Sequence, residues 1–248
     1  MSRPVMCHVV AGYPDPETCL ELMLGLQASG AAALEVQIPF SDPIADGATI
    51  MRANDVALEH GMTTAGSFDL IKQARRQGLS TDLYIMSYVQ KIRHHGLSEF
   101  CRRAAAVEAK GLIVPDMPYD SPEFAQLSKL AAKRQLGIVP VLSPGMSEPR
   151  LRAILALKPA CLYITTTRGI TGSKYSPANQ LKQLVSEIRQ HSGAQLMVGF
   201  GIATPDDVGD ALQQGDLAVV GSAVIKKLQA SDVEQTLAYV RTLTAANS

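Results

Sequence analysis

Short apolar runs alternate with helical stretches from one end of this chain to the other. "VMCHVV" leads into "PETCLELMLGLQASG". "AALEVQI" leads into a loop, then "TIMRANDVALEHG" and a further helix, "AGSFDLIKQARRQG". "TDLYIMSY", "GLIVPDM", "LGIVPVLS", "ACLYITT", "AQLMVGFG" and "DLAVVG" follow, each separated from the next by a helix-like segment, and "DVEQTLAYVRTLT" closes the series. The apolar runs lack the polar/apolar alternation of a half-exposed strand, so they read as parallel strands covered on both faces.

Eight such units in 248 residues predict an α/β fold, a single (β/α)8 TIM barrel spanning 1–248 with a shortened N-terminus, because the first strand starts within a few residues of Met1. A doubly wound open sheet alternates in the same way but usually has fewer strands at this length. No Ser/Gly-rich linker divides the chain. Helix starts are well marked: Asp15-Pro16, Ser121-Pro122 and Thr204-Pro205 each place a capping residue before a proline. Gly30, Gly78, Gly111 and Gly215 stand where helices are expected to stop.

Composition excludes several classes. Lys plus Arg equals Asp plus Glu at 23 each, Trp is absent and aromatic residues make up 5%, so neither charge nor stacking favours a nucleic-acid partner. No apolar run is long enough to span a membrane, and "MSRPVMCHVVAG" is too short for a signal peptide, which predicts a cytoplasmic protein. The widely spaced Cys7, Cys19, Cys101 and Cys161 read as reduced, partly buried thiols. The histidines, His8, His60, His94, His95 and His191, form no metal-binding pattern. His8 reads as an interior packing residue, and His94-His95 as part of a solvated loop.

In a barrel of this kind reactive groups gather at the C-terminal ends of the strands. The second strand carries Glu35 between Leu34 and Val36, and strand periodicity puts Glu35 and Gln37 on one face, expected to be the interior. A carboxyl there must be hydrogen-bonded or protonated. It is either a structural group bridged to Gln37 or a neighbouring strand, or an acid/base near the barrel mouth. Asp42 and Asp46 follow in "SDPIADG"; one should serve the turn and the other face a ligand, and spacing does not choose between them. Glycine-rich ends of the sixth, seventh and eighth strands expose backbone N–H groups suited to phosphate: Gly172, Gly199, Gly201, Gly221 and Ser222. Tyr163 in the sixth strand is either a substrate contact or a core residue. Asp116, in "VPDMP", is expected to anchor a loop or support the site from behind.

These segments resemble the tryptophan synthase alpha subunit family over nearly the whole chain. "AGYPDP", "LEVQIPFSDPIADGATI", "GLIVPDMP", "YITTTRGITG", "GFGIATPDDV" and "VVGSAVIK" occur in that family's order. The resemblance implies retro-aldol cleavage of indole-3-glycerol phosphate to indole and glyceraldehyde 3-phosphate. Glu35 is then the acid that protonates indole C3, and Asp46 the carboxylate that meets the ring N–H. Tyr163, Thr171 and Phe200 would bind the substrate, Gly172, Gly199, Gly201, Gly221 and Ser222 would hold its phosphate, and Asp116 would touch the mobile loop after the sixth strand. The resemblance further implies no metal or organic cofactor and a beta-subunit partner in an alpha2-beta2 assembly. Another small phosphorylated substrate, or a non-catalytic subunit that activates a partner, are the alternatives.

Some positions differ from the family's usual pattern. Gln37 stands where it commonly has Gly, Ala48 where it has Pro, and Met51 where it usually has Gln. Gln37 is expected to narrow the indole pocket, to pair with Glu35, or to fill a lower layer of the barrel. "YVQKIRHHG" replaces an Asn-Pro loop in the region facing the beta subunit, with Gln90 and Lys91 at those two positions. The helix that usually precedes the first strand is nearly absent, which would expose apolar residues at the barrel bottom or leave room for a contact between two copies.

Overall fold

The computed structural model describes residues 2–165, 177–199 and 201–245. Within them the strands are β1 (Val5–Val10), β2 (Ala33–Gln37), β3 (Asp82–Met86), β4 (Gly111–Ile113), β5 (Gly137–Val139), β6 (Val141–Leu142), β7 (Cys161–Thr165), β8 (Gln195–Gly199) and β9 (Leu217–Val220). All pairings are parallel, in the order β5-β4-β3-β2-β1-β9-β8-β7-β6. β5 and β6 are two halves of one strand interrupted at Pro140, a residue with no N–H for the ladder. The Pro140 carbonyl accepts from the Tyr163 N–H at 2.9 Å, so the sheet curls round on itself there. The eight expected strands are thus present, the fifth split in two, and the sequential strand order rules out the doubly wound alternative.

The helices between strands are α1 (Pro16–Ala28), α2 (Ala48–Glu59), α3 (Thr64–Arg76), α4 (Val89–His95), α5 (Leu97–Ala106), α6 (Pro122–Ala132), α7 (Glu148–Ala156), α8 (Pro177–His191), α9 (Pro205–Gln214), α10 (Ser222–Ala230) and α11 (Val233–Thr244). The three cap-proline signals each start a helix. Asp15 accepts from the Thr18 N–H at 2.9 Å, and Ser121 from Phe124 at 3.0 Å. Thr204 Oγ1 accepts from the Asp207 N–H at 3.1 Å, and the Asp207 carboxylate accepts in turn from the Thr204 N–H at 2.9 Å.

Two layers of apolar packing hold the barrel. Val5, Cys7, Val9, Leu34, Val36, Leu83 and Ile85 point outward to the helices. Met6, Ala33, Tyr84, Met86, Ile113, Val139, Met197, Leu217 and Val219 fill the interior. This is the period of two along each strand, and it places Glu35 and Gln37 on the inner face with Ala33. At the other end of the barrel, the Arg3 N–H donates to the Thr244 carbonyl at 2.9 Å and its guanidinium reaches the Pro205 carbonyl, tying the start of β1 to α9 and α11.

Two expectations need correction. "VQKIRHH" is helical, not a loop: Val89 and Ile92, three apart, are buried and give α4 an apolar stripe. His94 is exposed there, but His95 is half-buried with its ring 6.1 Å from Phe68 and 6.2 Å from Phe100. Gly111 does not end a helix. α5 stops at Ala106, Glu108 turns the chain at φ 55°, and Gly111 opens β4. Glycine is required there by contact: a Cβ would lie 2.9 Å from the Gly137 carbonyl oxygen on the next strand. Because the obstacle is backbone, Gly111→Ala is expected to lower stability by about 1–3 kcal/mol, read as a reduced midpoint in urea unfolding.

Candidate active site

β1 and β2 run side by side with His8 opposite Glu35 and Val10 opposite Gln37. Glu35 is 4% exposed, and its Oε2 lies 3.0 Å from His8 Nδ1. The imidazole N–H donates to the carboxyl, which satisfies a group the barrel interior would otherwise reject. Burial acts against a charged imidazole, but the Glu35 carboxylate outweighs it, with Asp46 and the Gln37 side chain assisting, and His8 is held above the ordinary imidazole value.

Gln37, fully buried, pairs with Asp46 rather than with Glu35. Its Nε2 donates to Asp46 Oδ2 at 2.6 Å and approaches Asn54 Oδ1 at 3.3 Å. Asn54, on the buried side of α2, also accepts from the Phe40 N–H at 2.9 Å and donates to the Ile50 carbonyl at 2.8 Å. Tyr88, fully buried, accepts from the Ala45 N–H at 3.0 Å and sets its hydroxyl beside the Asp46 carboxyl. The loop joining β2 to α2 is thereby pinned from three directions. Asp42 lies on its outer side, exposed, with Ser41 Oγ donating to it at 2.6 Å. Of the two loop aspartates, Asp46 is the one turned inward. Burial raises the Asp46 pKa, against the opposing pull of Gln37, His8 and Tyr88.

Tyr163 lines the inner face of β7, and burial, with Glu35 and Asp46 nearby, holds its phenol well above the ordinary range. Gly199, at the end of β8, makes room for it: a Cβ at Gly199 would sit 2.6 Å from the phenol oxygen. Gly201 follows in the next loop. Gly221 ends the barrel at β9 and serves as N-cap of α10, where no side chain caps the helix, and Ser222 is its first residue. A Cβ on Gly221 would stand 3.7 Å from His8 Cβ and from Ile50 Cδ1, so the backbone here lies against His8. Asp116 Oδ1 accepts from the Val89 N–H at 2.9 Å and fastens the turn after β4 to the first turn of α4, the anchor geometry. Its pKa is raised, chiefly by burial. Thr171, Gly172 and Phe200 lie outside the described residues.

Sequence reasoning missed three residues of this network: His8, Asn54 and Tyr88. The signal for His8 was its place in a strand adjacent to the Glu35 strand, but an unbroken apolar run does not reveal which face a residue takes. Asn54 was marked by standing among the apolar positions of an amphipathic helix. Among the described residues no group of three or more His, Cys, Asp or Glu side chains could hold a metal ion, and no helix is long and apolar enough to cross a membrane.

The arrangement offers two inward-facing carboxyls at one barrel mouth, Glu35 buried and Asp46 half-buried, with unlike partners, one bound to an ionisable imidazole and one to a neutral amide. Such separation suits one for passing protons and the other for accepting a hydrogen bond. Because folding raises the Asp46 pKa, its contribution to stability is full below the unfolded value and is lost as pH rises through the folded one. Asp46→Asn is therefore expected to gain stability relative to the unmodified chain as pH rises from about 4 to about 7, measured as urea midpoints at both pH values.

The family model described as "Tryptophan synthase alpha chain" matches residues 3–247. A tryptophan synthase alpha chain of Chloroflexus aggregans is 37% identical over 246 residues, covering 98% of this chain and 91% of that one. The tryptophan synthase subunit alpha of Campylobacter jejuni superposes with a TM-score of 0.88 at 26% identity, covering 97% of this chain and 95% of the other. The corresponding subunit of Legionella pneumophila gives 0.85 at 29% identity, covering 97% and 91%. With the family model spanning nearly the whole chain and a relative 37% identical over 98% of it, this chain belongs to the tryptophan synthase alpha chain family.

Proposed function

We propose that this chain is a carbon–carbon lyase that cleaves indole-3-glycerol phosphate into indole and glyceraldehyde 3-phosphate. The observation that carries the reading is the pair of inward-facing carboxyls, Glu35 and Asp46, held at one barrel mouth by separate partners. Glu35 is the acid: its O–H bond breaks as a C–H bond forms at indole C3, leaving positive charge at the ring nitrogen. Asp46, a carboxylate fixed by Gln37 and Tyr88, accepts the ring N–H and stabilises that charge. The bond from C3 to the glycerol chain then breaks and its electrons restore the ring. The adjoining hydroxyl loses its proton to Glu35, now ionised, as the carbonyl of the departing aldehyde forms. No metal or organic cofactor enters this scheme.

The phosphate is assigned to the backbone around Gly172, Gly199, Gly201, Gly221 and Ser222, with the uncapped start of α10 directing its N–H groups to the anion. Tyr163, Thr171 and Phe200 are assigned to the rest of the substrate. Asp116 is assigned to hold the surrounding loops in place from behind. A beta subunit is the expected partner, as in the family. The apolar side chains of Ile44, 81% exposed, and Met51, 42% exposed, on and next to the β2–α2 loop are a contact surface consistent with that.

Purified protein supplied with indole-3-glycerol phosphate is expected to release indole. Glu35→Gln should reduce kcat by about 10²-fold or more with little change in KM; a variant that turns over like the parent would remove Glu35 from the chemistry. Adding a tryptophan synthase beta subunit should raise the rate of indole release, and a rate indifferent to it would remove the partner from this reading.

A further inference from the structure

His8 is a buried imidazole that the lyase scheme leaves unused. Its side chain is 5% exposed, Nδ1 is committed to Glu35 at 3.0 Å, and the buried Nε2 has the Gln37 side chain as its polar neighbour. The Gln37 amide oxygen is buried on the His8 side, while the amide nitrogen of the same side chain holds Asp46. A chain of polar groups therefore runs inside the barrel from Glu35 through His8, past Gln37, to Asp46. A packing histidine needs no ionisable partner, whereas this ring is set between a carboxyl and an amide.

We propose that His8 is a positioning residue that fixes the Glu35 carboxyl through Nδ1 and stores the proton that Glu35 passes to the substrate. This rests on the lyase reading above. The pair holds one transferable proton. While the proton is stored, the Nδ1–H bond is intact and Glu35 is a carboxylate. When it is delivered, Nδ1–H breaks and an O–H bond forms on Glu35, and that bond in turn breaks as C3–H forms. The hydroxyl proton released during carbon–carbon cleavage returns to Glu35 and then to Nδ1, so the pair ends each cycle with its starting proton count.

The surroundings of the ring favour storage. β2 presents Glu35 and the loop after it presents Asp46, both of which attract the imidazolium. β9 and the start of α10 bring Val219, Val220 and Gly221, which carry no charge, and α2 brings Ile50. The charged residues of α2 (Arg52, Asp55 and Glu59), with Lys226 of α10, are exposed. Tyr163 of β7 keeps its phenol proton. Attraction to the two carboxylates outweighs the cost of burying the cation, so the pair keeps its proton to a higher pH than a lone carboxyl in water does.

Two measurements test this. In pH profiles of kcat/KM for indole release, His8→Phe fills the space without a donor, and His8→Asn keeps a donor that does not titrate. Both should shift the alkaline limb down by about one pH unit or more, a loss of about tenfold per unit on that limb, and His8→Asn should retain more of the plateau rate. Alkaline limbs unchanged from the parent in both variants would overturn the proposal. Independently of turnover, nuclear magnetic resonance titration of the imidazole nitrogens in the unliganded protein should place His8 above the ordinary histidine value, and lower it in Glu35→Gln. A His8 that titrates identically in both proteins would overturn the pairing. If the parent releases no indole while the titration behaves as expected, the lyase reading falls and the proton-sharing pair stands.

Discussion

The 3.0 Å contact between His8 and Glu35 is what lets a carboxyl occupy the inside of this barrel. Around it the interior is methionine, leucine, valine, isoleucine and aromatic rings, a medium in which an unpaired carboxylate is not tolerated. The main-chain register between β1 and β2 delivers the imidazole to that spot, because residues facing each other across neighbouring parallel strands take the same side of the sheet. A buried pair of this type is weak evidence of stability on its own account, since desolvation offsets much of the attraction. Its placement beside Gly221, the N-cap of α10, puts it next to the backbone proposed to hold the substrate's phosphate.

A second carboxyl, the half-buried Asp46, is handled by different means. Its hydrogen bond comes from an amide, Gln37, whose neighbour Asn54 also secures the backbone at Phe40. The amide neither gains nor loses a proton over the accessible pH range, so it orients Asp46 without competing for the proton. Gln37 thus joins two tasks at one position. It fills space inside the barrel, and it supplies the donor that holds Asp46 inward.

The barrel was legible in the sequence because parallel strands covered on both faces must be apolar throughout, and because Asp15, Ser121 and Thr204 announce their helices with a proline behind each. Glu35 was legible for the complementary reason, a charge in a run that should have none. What stayed hidden depended on partners distant in the chain. The choice between Asp42 and Asp46 rests on Tyr88 and Gln37, which converge on the loop only once β3 lies beside β2. "VMCHVV" has no alternation to show which way His8 faces. The helical character of "VQKIRHH" was masked by its basic composition, although Val89 and Ile92 carried the correct spacing.

Tyr163 and Gly199 illustrate how a strand can set the residue choice on its neighbour. A Cβ at 199 would meet the phenol oxygen at 2.6 Å on one side and Val219 Cβ at 3.0 Å on the other, so the strands flanking β8 call for glycine before any ligand is considered. Any side chain at 199 therefore has to displace the Tyr163 ring and crowd Val219, and trimming the tyrosine alone relieves only one side of that squeeze.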